Sequence, residues 1–528
     1  MRSPWLRRPQ PVALVLALLL VGCSTIDLKY PRATSTASPS SASTPMGTLS
    51  AKIAAEHPGE SGFYILNSGV EAFAARIALI ESARQTIDLQ YYIIHGDDSG
   101  KMIIERLLAA ADRGVRVRIL VDDIYTVKAD AKIAVLAVHP QVEIRLFNPW
   151  KYRGGGFSYA FNFLSDSKRL NHRMHNKLFV VDNAALIMGG RNLGDEYFGL
   201  NADFTFADLD VLGIGPVAAE ASEHFDRYWN SEWAVPIAAR RDLRPTQSDL
   251  DALRAQLAAD RVALRDSRFG ENAANTEFIR EIKEHRIQLY YAPATVLADA
   301  PDKVVSNRKK DRAEFLMAQI RRTVPRAEKE LLLCSPYFVP GKEGVHYLES
   351  MSTNGVDIRI LTNAQEAGDV SVVHSGYAPY RVDLLRAGIH LYELKRVSDP
   401  SREKFASQKF GSANASLHTK CLISDRRHVF IGSLNLDPRS MERNTETGVI
   451  IESAEIGQKL GTLFERGIAP DASYRVVLED GPNGSSSDLE WISTEGGQER
   501  RFKTEPGTTW FQRFKIKIMS LLPIESQI

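Results

Sequence analysis

Cysteine is scarce in this sequence, and no apolar run is long enough to cross a membrane. Three cysteines among 528 residues cannot form a disulfide scaffold. Charge of one sign is not in excess either, because 66 Lys and Arg stand against 65 Asp and Glu, a formal net charge of +1. This balance argues against a general nucleic-acid binder, which usually carries a basic excess. A chain of this length exceeds a single hydrophobic core and is expected to form two domains.

The first 22 residues have the pattern of a signal peptide. Three arginines precede an apolar run from Val12 to Gly22, which at eleven residues (22 − 12 + 1) is too short to span a bilayer. The run ends at Leu20-Val21-Gly22-Cys23, which resembles the lipobox of bacterial lipoproteins and makes Cys23 the expected site of lipidation. The alternative is an ordinary secretory peptide with a chance cysteine.

The residue after Cys23 bears on the destination of the protein. Lipoproteins retained at the inner membrane have Asp at this position, whereas this sequence has Ser24. We therefore expect a lipid-anchored, periplasm-facing protein of the bacterial envelope, with the outer membrane favoured over the inner membrane. Removal of the signal peptide takes away three arginines and no acid, so the mature charge is 63 − 65 = −2.

Composition and patterning divide the rest of the chain. Residues 23–50 are mostly Ser, Thr, Ala and Pro, which predicts a disordered tether. We expect an N-terminal lobe over residues 51–246, a helical, charged bridging segment over 247–310, and a C-terminal lobe over 311–528 that ends in an amphipathic stretch. Packing of that stretch on the body is favoured over contact with a membrane.

The body carries one strand–helix pattern twice. Residues 113–120 and 354–361 each place an alternating apolar strand pattern after a helix that ends in glycine. The strand–helix–strand order of both halves predicts two similar α/β lobes, each with a mixed sheet flanked by helices. We expect the lobes to pack face to face as a pseudo-twofold pair within one chain.

A duplicated polar motif follows in each half. The motifs share a His, a Lys two residues later, an Asp seven residues after the His and an Asn seventeen residues after it. The members are His175, Lys177, Asp182 and Asn192 in the first copy, and His418, Lys420, Asp425 and Asn435 in the second. The Asn ends a glycine-rich segment, which reads Gly189-Gly190-Arg191-Asn192 in one copy and Gly432-Ser433-Leu434-Asn435 in the other.

This set of side chains suits a phosphodiester. A His and a Lys two apart on a strand point to the same face, and two lobes face to face would offer both twice. Lys177 and Lys420 would hold the non-bridging oxygens, while Asn192, Asn435 and Ser433 would bind the phosphate by hydrogen bonds. One imidazole can attack phosphorus and the other can protonate the leaving alcohol, which predicts a covalent phosphohistidine. The lysines supply positive charge, so we expect no metal and no other cofactor; a zinc site is the minor alternative.

Four carboxylates accompany the motifs. Asp182 and Asp425 are grouped with the catalytic residues by motif, although they could only brace the turns that follow. Asp210 and Glu446 lie 35 and 28 residues after the two histidines, and we favour them as the carboxylates that orient the imidazoles. The sequence leaves open which histidine each one serves.

The two motifs resemble the hallmark of the phospholipase D superfamily, HxKxxxxD followed by GSxN, with Gly190 standing where the hallmark has Ser. Further segments resemble the bacterial cardiolipin synthases of the C type: residues 169–177, 189–199, 335–341, 374–377, 433–440 and 522–526. The resemblance implies His175 as nucleophile and His418 as general acid. It also implies transfer of a phosphatidyl group from one phospholipid, such as phosphatidylethanolamine, to phosphatidylglycerol. The lipobox and the tether depart from that group.

Three other functions share this sequence evidence. Hydrolysis of phospholipids to phosphatidic acid would use the same pocket with water as acceptor, so the residues do not separate it from transfer. A nuclease is disfavoured by the mature charge of −2 and the lipid anchor, and a non-catalytic envelope binding protein by two intact motifs. Cys334 and Cys421 are predicted to be buried free thiols, with a disulfide as the alternative. The sequence does not predict the oligomeric state.

Overall fold

The computed structural model describes residues 25–126, 129–153, 155–201, 204–284, 286–306, 311–368, 370–396, 415–479 and 488–521. The predicted signal peptide, the lipidation site Cys23 and the resemblance over residues 522–526 lie outside these ranges. Among the described residues, no helix combines the length and the apolar character that a membrane crossing requires.

Strands and helices alternate through the N-terminal half. Its strands are β1 (Ser61–Leu66), β2 (Thr86–Tyr91), β3 (Arg116–Asp122), β4 (Val142–Phe147), β5 (Leu178–Val181), β6 (Ala185–Gly189), β7 (Thr205–Ala207), β8 (Asp210–Ile214), β9 (Ala234–Pro236) and β10 (Tyr290–Ala292). Its helices are α1 (Pro45–Glu56), α2 (Gly69–Ser82), α3 (Asp98–Asp112), α4 (Asp130–Leu136), α5 (Gly155–Leu170), α6 (Asp195–Phe198), α7 (Pro216–Trp229), α8 (Gln247–Arg265), α9 (Arg268–Ala274) and α10 (Glu277–Lys283). All the strands except β7 form one sheet in the order β10-β1-β8-β6-β5-β2-β3-β4-β9.

The C-terminal half repeats this plan. Its strands are β11 (Ala294–Ala298), β12 (Glu330–Cys334), β13 (Asp357–Asn363), β14 (His390–Leu394), β15 (Ala415–Leu417), β16 (Cys421–Ser424), β17 (His428–Gly432), β18 (Thr447–Glu452), β19 (Ser473–Leu478), β20 (Leu489–Glu495) and β21 (Gln498–Phe502). Its helices are α11 (Leu316–Thr323), α12 (Gly341–Ser352), α13 (Ser371–Tyr377), α14 (Arg381–Arg386), α15 (Pro438–Glu442), α16 (Ala454–Gly467) and α17 (Trp510–Ser520). All the strands except β15 form a sheet in the order β11-β18-β17-β16-β12-β13-β14-β19-β20-β21.

Both sheets are mixed, and their repeated centre confirms the predicted pair of α/β lobes. Strands β2, β3 and β4 run parallel, as do β12, β13 and β14, while β5 and β16 pair antiparallel to β2 and β12. The helix-ending glycines of the duplicated pattern, Gly114 and Gly355, have φ angles of 89° and 90°. Only glycine adopts this left-handed conformation without strain, so the same turn leads into β3 and β13.

The two lobes share one hydrophobic core. It joins apolar residues of both sheets, among them Leu178 and Val211 from the first and Leu332 and Ile431 from the second. Cys334 on β12 and Cys421 on β16 also lie in it; they stand directly opposite each other, and both thiols are free. This continuous apolar contact fixes one lobe against the other and so determines which polar residues meet at their boundary.

The prediction of a disordered tether over residues 23–50 is wrong for the residues that the structure describes. Ile26 is buried, and α1 begins already at Pro45 after the N-cap Thr44. The buried guanidinium groups of Arg118 and Arg145 donate to the backbone oxygens of Ser35 and Ala33. Buried arginines need acceptors, so this segment is held on the lobe by hydrogen bonds as well as by apolar residues such as Ile26 that pack in the core.

The bridging segment is helical as predicted, but it belongs mainly to the N-terminal lobe. Helices α8 and α10 bury Leu250, Leu257, Leu264 and Phe278 in the core of that lobe, and β10 is an edge strand of its sheet. The next strand, β11, is an edge strand of the other sheet. The chain therefore crosses from one lobe to the other at Pro293, between these two strands.

Candidate active site

The two histidines meet at the boundary of the lobes, where each lobe lends a backbone segment to the other. The backbone N–H of His175 donates to the Thr445 oxygen at 2.9 Å, and that of His418 donates to the Ala207 oxygen at 2.8 Å. Strands β7 and β15 extend the second contact as a short parallel pair across the boundary. Neither histidine is therefore held by its own lobe alone.

The carboxylate facing each imidazole also comes from the opposite lobe. His175 Nδ1 lies 2.9 Å from Glu446 Oε2, and His418 Nδ1 lies 2.6 Å from Asp208 Oδ2. Each Nδ1–H donates to its carboxylate, so that Nε2 is the nitrogen left for substrate. The prediction for Glu446 is confirmed, and the structure assigns it to His175.

The prediction of Asp210 as an orienting carboxylate is wrong, because Asp208 has that role. Asp210 begins β8 and its carboxylate lies 2.9 Å from Arg76 and 3.5 Å from Arg191, within the lobe. Strand pairing reveals the true counterpart of Glu446. Glu446 lies six residues before Glu452, which pairs with the first residue of β17; Asp208 lies six residues before Ile214, which pairs with the first residue of β6. The equal spacing of six residues is present in the sequence and could have identified Asp208 once the strands were aligned.

Both motif lysines are fully buried beside the histidines of their motifs. Each ammonium donates to the backbone oxygen of its own histidine, Lys177 to His175 and Lys420 to His418. Burial, together with the charge of Lys420, lowers the pKa of Lys177 to about 7. The two lysines repel each other, and an anionic phosphate bound near them would relieve that repulsion.

Burial and the lysines also keep both imidazoles neutral. The pKa of His175 is lowered to about 4, mainly by burial and despite the attraction of Glu446. Burial, Lys420 and Lys177 lower the pKa of His418 well below its usual value. The half-sites differ in their carboxylates: burial raises the pKa of Asp208, whereas His175 and Lys177 hold that of Glu446 down against its burial.

The polar residues of the glycine-rich segments divide between two roles. Asn192 and Asn435 line the cleft; the amide of Asn192 donates to the Tyr197 hydroxyl and accepts from the Ile93 N–H, whereas the buried Oδ1 of Asn435 has no hydrogen-bond partner among the described residues. The prediction that Ser433 binds phosphate is wrong, because its hydroxyl donates to Glu446 and accepts from the Thr447 N–H. Ser433 thus fixes the carboxylate that orients His175.

The missing hydroxyl at Gly190 has a steric cause. A Cβ at this position would lie 2.2 Å from Oδ1 of Asp208, closer than any real contact. The shorter Asp208 carboxylate occupies the space in which the other half-site has a serine. Gly190 and Asp208 therefore form a matched pair, as do Ser433 and Glu446.

The prediction of Asp182 and Asp425 as catalytic residues is wrong. Asp182 accepts hydrogen bonds from the backbone N–H groups of residues 84–86, which lead into β2. Asp425 does the same for residues 328–330, which lead into β12. Neither carboxylate lines the cleft. Both brace the start of a central strand, the alternative that the motif left open.

A cleft of about 1270 Å³, part of it open solvent, gives access to both imidazoles. Its walls include aromatic side chains that sequence reasoning missed: the Tyr92 ring lies 5.0 Å from that of His175, and the Phe206 ring 4.7 Å from that of His418. Arg439 adds a cation at the rim. Such a pocket can hold a phosphate between the histidines and leaves space for the groups attached to it.

Sequence comparison identifies the family. The profile described as "Cardiolipin synthase, PLD-like domain" matches residues 77–229 and 320–468, which is more than half of the chain and one match for each lobe. The chain belongs to this phospholipase D-like family. The resemblance drawn from the two motifs is therefore confirmed, and the pair of His-Lys motifs are those of a phospholipase D-like site.

Relatives of this phospholipase D-like protein extend over nearly its whole length. Cardiolipin synthase C of Escherichia coli K12 is 37% identical over 481 residues, which cover 90% of this chain and 97% of that protein. A protein of Helicobacter pylori 26695 described as uncharacterized is 32% identical over 506 residues, 95% of this chain and 96% of that one. The crystal structure of phosphatidylserine synthase from Haemophilus influenzae has a TM-score of 0.51 at 13% identity, over 88% of this chain and 95% of that one. This last likeness concerns the fold alone.

Proposed function

We propose that this protein is a phosphatidyltransferase that makes cardiolipin from phosphatidylglycerol and a second phospholipid, such as phosphatidylethanolamine. The observation that carries the proposal is the pair of imidazoles, each held by a carboxylate of the opposite lobe, around two buried lysines. Such a site can bind a phosphodiester anion and divide its displacement into two steps. The similarity to cardiolipin synthase C over 90% of the chain supports the substrate class.

In the first step, Nε2 of neutral His175 attacks the phosphorus of the donor lipid. A P–N bond forms, the P–O bond to the headgroup breaks, and His418 gives a proton to the departing alcohol oxygen. Glu446 accepts the hydrogen bond from the Nδ1–H of His175, so this proton stays on the ring, and the carboxylate balances the positive charge that develops there. His418 must be protonated for this step, and the negative charge of a phosphate bound between the lysines raises its pKa.

In the second step, a hydroxyl of phosphatidylglycerol attacks the phosphohistidine. His418, now neutral, takes the hydroxyl proton; the new P–O bond forms and the P–N bond breaks, which returns His175 to its starting form. Water in place of this hydroxyl would release phosphatidic acid. The volume of the cleft favours transfer, because it can admit a lipid headgroup beside the phosphorylated histidine.

The lipid anchor at Cys23 belongs to the same proposal. Thr25 forms a backbone bridge with Tyr152, so the folded body begins two residues after Cys23. An acyl-modified Cys23 would therefore hold the enzyme close to a membrane rather than on a long tether. We assign it to the periplasmic side of the bacterial envelope, with the outer membrane favoured because Ser24 follows the cysteine.

The decisive experiment is product analysis on vesicles of phosphatidylglycerol and phosphatidylethanolamine. Mass spectrometry should detect cardiolipin with the purified protein, and His175→Ala and His418→Ala should each lower its formation by at least about 10²–10⁴-fold. After a rapid quench, acid-labile label from the phosphatidyl group of the donor lipid should be found on the parent protein and not on the protein carrying His175→Ala. Phosphatidic acid as sole product, or full activity of either variant, would contradict the proposal.

A further inference from the structure

The last helix of the described chain carries the largest exposed apolar surface. Trp510 and Phe511 are 69% and 67% exposed, Leu521 just beyond the helix is 77% exposed, and Phe514 and Ile518 are about half exposed. Among the helix residues only Ile516 is fully buried. The favoured prediction that this stretch packs on the body is therefore wrong for all but one face of the helix. Soluble proteins rarely expose so many large apolar side chains side by side.

These side chains lie on one face. At about 100° per residue, the four exposed apolar positions of α17 and Leu521 fall within an arc of roughly 100°, while Ile516 lies opposite it. The rings of Trp510 and Phe514 stack at 5.2 Å, which makes this arc a continuous surface. Lys515 borders the arc on one side and Lys517 on the other, and both are exposed. A wide apolar face bordered by cations is the pattern of a helix that lies in the interface of an anionic bilayer.

The helix is fixed to the wall of the catalytic cleft. It packs on α13, whose residues Val372 and Val373 line that cleft. Glu505, just before α17, forms a buried cluster with His374 of α13 and Arg381 of α14 at 3.1 and 2.5 Å. A helix tied this firmly would transmit its orientation at a membrane surface to the cleft.

We propose that α17 is a membrane-docking helix: its apolar face enters the headgroup region of an anionic phospholipid bilayer and turns the cleft mouth toward the lipid. The occupant is a bilayer rather than a protein because the face combines aromatic residues with a cationic border and lies beside a phosphate site. The inference goes beyond the proposed function, since docking requires no turnover. It is also distinct from the Cys23 anchor, which lies at the other end of the chain.

Vesicle binding tests the proposal on the full chain with Cys23→Ser, so that no lipid anchor contributes. Trp510→Ser/Phe511→Ser/Phe514→Ser should lower the fraction that sediments with phosphatidylglycerol vesicles at least tenfold. The matched control is Val262→Ser/Ile282→Ser, which alters exposed apolar residues elsewhere (43% and 38%) and should change binding less than twofold. Equal binding of the triple variant and the parent chain would refute docking by α17.

Two further readouts separate this proposal from its competitors. Brominated acyl chains should quench tryptophan emission in the parent chain and much less with Trp510→Phe. If the triple variant instead converts a dimer into a monomer by sedimentation equilibrium, the face is a contact between two copies and the proposal is wrong. On detergent-dispersed lipid, the phosphatidyl transfer activity of the triple variant should stay within twofold of that of the parent chain. If the proposed transfer activity is itself wrong, the parent chain will also show none, and the vesicle-binding result will still stand.

Discussion

At the scale of single residues, two aspartates only two positions apart serve different parts of the molecule. Asp208 crosses the boundary to the imidazole of His418, whereas Asp210 is the first residue of β8 and pairs with Arg76 inside the N-terminal lobe. The chain between β7 and β8 changes its pairing partner from the opposite lobe to its own sheet. That change of partner separates a positioning carboxylate from a structural one.

We expect asparagine at these two positions to have opposite consequences. Asp208→Asn should lower kcat by about 10²–10⁴-fold, because the amide can donate to Nδ1 of His418 and hold the wrong tautomer, and it carries no negative charge to balance the imidazolium. Asp210→Asn should instead reduce the free energy of unfolding by about 3–5 kcal/mol, because Arg76 is left buried without a charged partner. Steady-state kinetics and denaturant unfolding of both variants make the comparison. A loss of kcat that is larger for Asp210→Asn would contradict the assignment.

The lowered pKa values of His175, Lys177 and His418 predict an acidic optimum for kcat/KM. His175 must be neutral to attack, so kcat/KM should fall as the pH drops through about 4. Lys177 must be protonated to bind phosphate, so kcat/KM should also fall as the pH rises through about 7, and the lowered pKa of His418 acts in the same direction. The bound phosphate restores these protons, so the descending limb of kcat should lie at least one pH unit higher. Identical limbs in the two profiles would be evidence against the role of the lysines.

The sequence predicted the histidines and lysines of the site better than the residues that support them. His175, His418, Lys177 and Lys420 follow from a spacing that repeats in both copies. Asp208 was missed because Asp210 lies at a similar distance and only strand registry separates the two. Ser433 was misassigned because the motif does not show in which direction the hydroxyl points. In the structure it points toward Glu446.

At the scale of secondary-structure elements, Asp182 and Asp425 act as braces for β2 and β12. Each carboxylate accepts hydrogen bonds from backbone N–H groups at the start of a central strand. Each residue has a left-handed backbone conformation, with φ of 52° for Asp182 and 49° for Asp425. The two strands pair with β5 and β16, which follow directly from the His-Lys pairs. The motif aspartate therefore belongs to the scaffold that aims the catalytic strand.

Alanine at either position should destabilise the protein without altering the chemistry. Asp182→Ala leaves several backbone N–H groups unpaired and should reduce the free energy of unfolding by about 2–4 kcal/mol. Asp182→Asn keeps one acceptor oxygen and should cost less. At a temperature well below unfolding, kcat of Asp182→Ala should remain within a few-fold of the parent value. The cardiolipin assay measures kcat, and thermal unfolding measures the loss of stability. A fall of kcat by a thousandfold in a folded variant would restore a catalytic role.

Whole elements were predictable where apolar periodicity and burial agree. The alternating apolar residues of β3 and β13 face the cores of their own lobes, so pattern and structure coincide. Residues 25–50 and α17 failed because composition does not reveal partners: the first segment is held by buried arginines of the lobe, and the second keeps its apolar face outward. Hydrogen bonds to the backbone of residues 25–50 produce no periodic pattern of apolar residues. The apolar periodicity of α17 does not show whether that face is buried or exposed.

At the scale of the whole molecule, the crossing at Pro293 joins two lobes that exchange their catalytic supports. The duplicated spacing predicted two copies of one half-site and a shared cleft. It could not predict that each imidazole takes its carboxylate from the other copy, because motif spacing says nothing about which lobe supplies a neighbour. The difference between Gly190 with Asp208 and Ser433 with Glu446 likewise depends on space, which a sequence does not display.

The exchange of carboxylates also has a consequence in time. Glu446 follows His175 by 271 residues, so ribosomes working at about 5–20 residues per second need a further interval of roughly a quarter of a minute or more before the partner of that imidazole exists. A chain that ends before Glu446 lacks the carboxylate that orients His175, and a chain that ends before His418 lacks both motif residues of the second half-site that the first half needs. We therefore expect no phosphatidyl transfer by a nascent chain that ends before Glu446, because the imidazole of His175 then has no carboxylate partner.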